Sequence, residues 1–523
     1  MVARAVPIAA GILRALEAAP ALLAGVCRGI EKESLRVDAR GDLAMTPHPV
    51  GLGSPLTHPN ITTDFSEAQL ELITGVHPTP ESVIAQLDEI HRYVYPSLGD
   101  ELLWTSSMPC ELPADDVIPV GRYGSSNVGQ SKTVYRIGLG NRYGRSMQTI
   151  SGIHYNFSVD ATFWQAYADA IGARLSDDFR TQSYFALIRN FRRFSWLLIY
   201  LFGASPALCR SFAEERGHAL QPLGAATLHL PGATALRMGG LGYQSDAQRS
   251  LHISYNSLDQ YTRSMQQALT QPYPDYARIG IKVDGRYRQL NDTLLQIENE
   301  FYGTIRPKQL VNEGERPIVA LRRRGVEYVE VRCLDLNPFL PVGIDPVAIR
   351  FLDAFLLYCL LADSPADSER ESALMTANQL SIVERGREPG LTLARSNGVV
   401  ARNDWAEEIL EGCRPIAALL DRAHGGDAYV ASWEEQRRKV FEPELTPSAR
   451  VLRMLQSEHL EFAELALAQS IAAKGYFEEH RLRPPVQERY AEEAAASKAE
   501  QTRIEAADQV DFDTYLQGYL RLG

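Results

Sequence analysis

Along residues 151–159, apolar and polar side chains alternate: Ile153, Tyr155, Phe157 and Val159 against Gly152, His154, Asn156 and Ser158. Successive side chains of a strand point to opposite faces, so this run predicts a strand with one packed and one polar face. The period recurs at 326–333, where Val329, Val331 and Cys333 alternate with Tyr328, Glu330 and Arg332. It recurs at 69–74, with Leu70 and Leu72 against Gln69 and Glu71, and at 296–302, with Ile297 and Phe301 against Gln296, Glu298, Glu300 and Tyr302. In Glu31-Lys32-Glu33 both carboxylates fall on one face. Alternation of this kind predicts an antiparallel sheet, packed on one side and wet on the other.

Helical spacing takes over later in the chain. Asp345-Pro346 reads as a helix start, and Ile349, Leu352, Phe355, Leu356, Cys359 and Leu360 recur at buried-helix spacing. Residues 452–477 read as one long helix, and the Ala-, Glu- and Lys-rich stretch 488–508 as a solvated helix. The chain thus divides by texture into a sheet-rich core, 1–345, expected to carry the catalysis, and a mainly helical part packed on it, 346–523. The fold class expected is α+β.

The polar faces are unusual in what they carry: several carboxylates, one histidine and one arginine. A single Glu-x-Glu is ordinarily a solvated strand face, a lone His a structural one, and a Glu–Arg pair a surface ion pair worth ~0–1 kcal/mol. Recurrence of the pattern on several segments instead predicts a carboxylate-lined cup. Clustered carboxylates repel unless cations lie between them. With oxygen ligands dominating, Mg²⁺ or Mn²⁺ suits the cup better than zinc. Magnesium commonly bridges carboxylates to substrate phosphates, and the Arg332 guanidinium, sharing a face with Glu330, suits charge on a transferring phosphoryl group. Metal-bound nucleoside triphosphate is therefore the leading inference.

No standard phosphate loop provides it. Gly124-Ser-Ser-Asn-Val-Gly129 is followed by Gln130 where a P-loop needs lysine, and Gly138-Leu-Gly140 by Tyr143 where a dinucleotide fingerprint needs glycine. The 523 residues are 45% hydrophobic and 23% charged, with a formal net charge of −12, which argues against disorder and against nucleic-acid or anionic-membrane partners. Six cysteines lie far apart, with no C-x-x-C pair, and read as reduced cytosolic thiols. The start of the chain reads as a helix rather than a leader, because Arg14, Glu17 and Pro20 interrupt its apolar run. Residues 354–362 fall far short of the ~20 apolar residues of a membrane span. A cytoplasmic protein is expected.

At these residues the chain resembles the proteobacterial-type glutamate–cysteine ligases, which catalyse the first step of glutathione biosynthesis. The resemblance covers about 25–470 and rests on long motifs. These are Gly29-Ile-Glu-Lys-Glu-Ser-Leu-Arg-Val37, Ile61-Thr-Thr-Asp-Phe65, Met147-Gln-Thr-Ile-Ser-Gly-Ile-His-Tyr-Asn-Phe157, Leu201-Phe-Gly-Ala-Ser-Pro206, Ile305-Arg-Pro-Lys308 and Glu327-Tyr-Val-Glu-Val-Arg332. Cys333 stands where the family often has serine; alternation turns it away from Arg332, and a buried thiol is expected.

The resemblance implies a glutamine-synthetase-like fold, an antiparallel sheet bent into a cup with helices outside. It implies magnesium held by Glu31, Glu33, Asp64, Glu71, His154 and Glu330, with Arg332 at the γ-phosphate of ATP. It places Phe65, Tyr135, Gln148, Arg237, Tyr243 and Tyr302 in the acceptor pocket, and Asn156 among the substrate-binding residues. The implied substrates are ATP, L-glutamate and L-cysteine, joined through γ-glutamyl phosphate, with glutathione as a feedback inhibitor and a monomer as the working form. Asp64, beside Phe65, is the candidate to take the acceptor ammonium's proton. Two rivals remain: a carboxylate–amine ligase with another acceptor amine, and a non-catalytic sensor on the same fold.

Overall fold

The computed structural model describes residues 6–109, 111–214, 217–242, 246–249, 251–312 and 314–521. Its centre is a seven-stranded sheet: β1 (Val26–Val37), β2 (Ile61–Thr63), β3 (Gln69–Ile73), β4 (Leu102–Leu103), β5 (Ile153–Val159), β6 (Ile305–Lys308) and β7 (Tyr328–Leu334). The spatial order is β6-β7-β5-β1-β3-β2, with β4 on the far end of β1, and every pairing is antiparallel. The long central β1 is paired on both sides, to β5 and to β3.

Period-2 alternation produces the two faces. Ile30, Leu70, Leu72, Ile153, Tyr155, Phe157, Val329 and Val331 are fully buried on the back. Helix α1 (Pro80–Val94) packs there on β1 and β3, and α3 (Asp177–Phe194) on β6 and β7; α2 (Asn127–Tyr143) lies between them in sequence. Helix α4 (Pro346–Leu361), capped by the Asp345 carboxylate, packs on α1 and α3 and is buried at every position from Phe351 to Leu361. A helix apolar all round belongs in a core. The back also holds two buried polar links. Arg28 pairs with Asp353 of α4 at 3.0 Å, and the Tyr155 hydroxyl donates to the same carboxylate. Lys32 donates to Ser34 Oγ and to His91 Nε2 of α1, both at 2.9 Å.

Several expectations need correcting. Residues 296–302 form no strand but a loop with a 3-10 turn at Glu298–Glu300, and both carboxylates are engaged elsewhere: Glu298 with Arg316 and Glu300 with Arg142. Residues 452–477 are two helices, Pro447–Ser457 and Phe462–Glu479, because His459 adopts a left-handed φ of 54°. Cys27, Cys333, Cys359 and Cys413 are free thiols and Cys333 is buried, but Cys209 is disulfide-bonded, so the thiols are not uniformly reduced. No helix among the described residues is long and apolar enough to cross a membrane.

The entry to β2 hangs on a histidine. His58 Nδ1 accepts the backbone N–H groups of Asn60 (3.1 Å) and Ile61 (3.0 Å). An imidazolium cannot accept, and burial holds the His58 pKa down to about 4. The unfolded chain binds this proton below about pH 6.5, so the contribution is complete above that pH and lost as pH falls towards 4. His58→Asn offers an acceptor that does not titrate. The Tm advantage of wild type over His58→Asn should shrink between pH 6.5 and 4.5 in paired thermal melts, where the other titrations cancel. A pH-independent difference would show that His58 protonates normally in the fold.

Candidate active site

Register brings the polar residues together. Glu31 lies opposite His154, Glu33 opposite Glu71, and Glu330 opposite both Asn156 and Arg306. Directly opposed residues share a face, so one surface carries the carboxylates of three strands and the histidine of a fourth. The β7–β5 register shifts between Val331 and Leu334, which leaves Arg332 and Cys333 facing His154 alone. Such a bulge re-aims a side chain. Here it brings Arg332 Nη1 to 3.4 Å from His154 Nδ1 and 3.1 Å from Glu330 Oε1.

His154 is the hub. Its Nδ1 lies 3.3 Å from Glu31 and 3.6 Å from Glu330, and its Nε2 3.5 Å from Glu33. Two groups offer ligand atoms within 4.8 Å of one another: Glu31, His154 and Glu330, and Glu33, Glu71 and His154. Among the described residues Glu330 Oε2 is buried and meets no hydrogen-bond partner, an acceptor of the kind a cation satisfies. The donor set, carboxylate oxygens with one imidazole, suits a hard divalent ion. Asp64 belongs to neither group, although its charge reaches Glu33 and Glu71.

The two ends of the cup differ electrically. Burial pushes Glu330 up, but Lys308, Arg332, His154 and Arg306 outweigh it and hold the carboxyl well below its ordinary value. Glu31 is likewise raised by burial and by Glu330, yet the His154 hydrogen bond and Lys308 bring it below normal. At the other end burial raises Glu33 to about 7, with Asp64 adding to it against His154, Arg332 and the Gly152 N–H. Glu71 is driven well up by burial and by Asp64, Glu31 and Glu33. In one pair the protein's own cations outweigh burial; in the other, burial and the neighbouring carboxylates outweigh His154, Arg332 and Arg136.

Part of the set expected around the acceptor comes together near His154 and Arg332. Gln148 Nε2 donates to the Tyr302 hydroxyl at 2.9 Å, and the Tyr143 ring meets Tyr302 edge-on at 5.9 Å. Arg237 and Tyr302 line a cavity of about 720 Å³ that also opens on His154 and Arg332. Arg237 is buried, its Nε paired with Asp335 and its Nη2 donating to Leu334 O at 2.6 Å, so the guanidinium plane is fixed. Phe65 is buried, and Tyr135 stands on α2. Asn156 donates to Glu31 at 2.8 Å. Tyr243 lies outside the described residues.

Other residues of the face were not singled out from the sequence. Lys308 Nζ lies 3.5 Å from Glu330, and Arg306 shares its face. Alternation within Ile305–Lys308 carried that signal, but over only four residues. On α2, Arg136 donates to the Asp64 carbonyl, which also lies 2.9 Å from the Tyr123 hydroxyl. Tertiary contact alone reveals these.

Comparison with known proteins agrees with this architecture. The model of the glutamate–cysteine ligase family matches residues 13–382. The chain is 52% identical over 505 residues to the glutamate–cysteine ligase of Azotobacter vinelandii, covering 95% of each chain. It is 51% identical over 499 residues to that of Pseudomonas aeruginosa, covering 95% of this chain and 94% of the relative. Among solved structures it superposes with a TM-score of 0.90 and 36% identity on glutamate–cysteine ligase from Francisella tularensis in complex with AMP, over 95% of this chain and 97% of that one. A bifunctional glutathione synthetase from Pasteurella multocida matches with a TM-score of 0.70 and 25% identity, over 90% of this chain and 55% of that one. The chain belongs to the glutamate–cysteine ligase family.

Proposed function

We propose that the chain joins the γ-carboxylate of glutamate to the amine of cysteine, with ATP converted to ADP and phosphate. The observation that carries this is the single sheet face on which Glu31, Glu33, Glu71, Glu330 and His154 converge beside Arg332, in a chain of this family. The nucleotide-bound relative from Francisella tularensis supports ATP as co-substrate. Magnesium fits the donor set, held by Glu31, His154 and Glu330 and by Glu33, Glu71 and His154. When bound it would neutralise the triphosphate and polarise the transferring phosphoryl group.

The chain's own residues do the remainder. Arg332 faces the γ-phosphate with a planar fork, steered by Glu330 and the bulge. A γ-carboxylate oxygen of glutamate attacks the γ-phosphorus, and ADP leaves. The cysteine amine then attacks the acyl carbon of γ-glutamyl phosphate, the C–O bond breaks, and phosphate leaves. Asp64, half-buried beside Phe65, takes the proton the ammonium must lose. Arg237, Tyr302 and Gln148 orient the acceptor, and Tyr135 and Phe65 enclose its side chain. Asn156 holds Glu31 beside the substrate. Catalysis is positioning and charge stabilisation.

Three measurements test this. Divalent cation needs ionised ligands, and burial raises the Glu33 carboxyl to about 7 and the Glu71 carboxyl well above its ordinary value. Calorimetry at pH 7 in buffers of differing ionisation enthalpy should therefore show net proton release as Mg²⁺ binds. Binding without proton release would remove these two residues from the metal site. Arg332→Lys keeps the charge and loses the fork. It should lower kcat at least ~10²-fold with little change in the KM for cysteine, since an arginine at a transferring phosphoryl is worth ~10³–10⁵. A normal kcat with a raised cysteine KM would move Arg332 to the acceptor pocket. Finally, glutamate labelled with heavy oxygen in its γ-carboxylate should deliver one labelled atom to phosphate per turnover. Label appearing in AMP, or unlabelled phosphate formed alongside dipeptide, would sink the acyl-phosphate route.

A further inference from the structure

The chain beyond residue 382 lies outside the matched family region, yet its end returns to the site. Helix α5 (Pro484–Ala507) and helix α6 (Phe512–Tyr519) form an arm that grips two separate segments. The first is the loop leading into β2. Ser54 N–H donates to Ser497 Oγ at 2.9 Å, and Thr57 Oγ1 donates to Ser497 O at 2.5 Å. Gly53, at φ 81°, lies so close beneath α5 that a Cβ there would collide with Ser497 Oγ and stand 2.9 Å from Ala494 Cα. The loop in turn supports β2, because Thr62 Oγ1 donates to Pro55 O at 2.6 Å. Asp64 follows β2 directly.

The second segment is the start of α2. Glu505 accepts the Ser125 N–H at 2.8 Å, Asp508 accepts the Asn127 N–H at 2.7 Å, and Val510 O accepts from Asn127 Nδ2 at 2.9 Å. Asp508 thus meets an orphan donor at the positive end of the helix that carries Tyr135 and Arg136, and Glu505 holds the residue before its N-cap, Ser126. Gly124, at φ 83°, admits Gln501 and Glu505 where any Cβ would clash. Further along, Leu516 of α6 forms a small apolar cluster with Val134 and Leu290, separate from the main core, and Tyr135, Tyr287 and Phe512 pack around it. Asp513 fastens α6 to Lys282 at 2.8 Å and to the Tyr287 hydroxyl. The two gripped segments converge on one atom, the Asp64 carbonyl, reached by Arg136 from α2 and by Tyr123.

We propose that this arm is a positioning strap for the acceptor side of the site, in which Leu516, Glu505 and Asp508 set the placement of Tyr135, Arg136 and Asp64 without touching substrate. The proposal rests on the assignment of Tyr135 and Phe65 to the acceptor pocket. The cation end of the cup, Glu31, Glu330 and Lys308, has no contact with the arm among the interactions of the described residues. Loss of the strap should therefore separate the substrates.

In the full-length enzyme, Leu516→Ala should raise the KM for cysteine about tenfold, well inside the ~10²-fold that a 1 Å misplacement can cost. The KM for ATP should stay within about twofold, and Leu516→Met should restore the cysteine KM. Should Leu516→Ala lose its thermal transition, Asp508→Asn, which weakens the bond to Asn127 and leaves the apolar cluster intact, is read in its place with the same expected split. An unchanged cysteine KM, or equal rises for both substrates, overturns the strap. Tyr135→Ala, assayed alongside, tells the two failures apart. If it raises the cysteine KM while the arm variants do not, the strap fails and the pocket stands; if it leaves that KM unchanged, the pocket assignment itself fails.

Discussion

Four carboxylates facing one histidine across a sheet are the constraint on which this molecule is built. Glu31, Glu33 and Glu330 each approach His154 within 3.3–3.6 Å, and Glu71 joins the same group. Like charges so close cannot all ionise unaided, and nothing local would hold them in place. The stiffness comes from the sheet. The strand carrying Glu31 and Glu33 is paired on both sides, and beneath it Arg28 is tied to Asp353 and Lys32 to His91. Removing one partner from a buried pair such as Arg28–Asp353 typically costs ~3–5 kcal/mol. Those links secure the strand from the side where no substrate comes.

The repulsion is also divided. Lys308, Arg332 and Arg306 stand at the Glu330 end, and that carboxylate is held ionised. Glu33 and Glu71 have no such neighbours of comparable weight, and burial leaves them wanting a positive charge. A site uniformly supplied with arginine would have no call for a cation, and one without any could not meet a transferring phosphoryl group. The asymmetry lets one surface do both in the reaction proposed here: ions held through His154 meet carboxylates raised by burial at one end and share the other end with a fixed guanidinium. The bulge at Arg332 and Cys333 is the local device for it: two residues opposite one allow Arg332 to face the cup while Cys333 stays buried.

Much of this was legible in the chain, for a physical reason. A strand buried on one face must alternate, and chemistry confined to the other face then appears as every second residue, as it does through His154–Asn156 and Glu330–Arg332. The same logic misled at 296–302. Glu298 and Glu300 stand two residues apart just as Glu31 and Glu33 do, but each is answered by an arginine of its own, Arg316 and Arg142. Those partners lie 18 and 158 residues away in sequence, so no local pattern reports them. Period alone finds carboxylates on a face; only their partners separate a structural ion pair from a ligand. Lys308 was passed over for the opposite reason, because a four-residue strand containing Pro307 is too short for alternation to register.

The arm at the end of the chain shows where composition misleads. Residues 488–508 read as a solvated helix because Ala, Glu and Lys dominate them, and most of that helix is indeed exposed. Yet Tyr490, Ala494 and Ser497 are buried; apart from the stack of Tyr490 on Tyr93, much of its long-range grip passes through small or polar groups: Ser497, Gln501, Glu505 and Asp508. Hydrophobic periodicity detects elements that bury apolar area, since that term dominates folding. An element that docks largely by hydrogen bonds, close against glycines, leaves little such trace. What it leaves instead is a requirement on the surface it meets: Gly53 must lack a side chain beneath the Ala494 backbone, and Gly124 takes a left-handed φ of 83° against Gln501 and Glu505. The signature of the arm is therefore written some 380–440 residues upstream of it, in two glycines whose necessity appears only when the chain is folded.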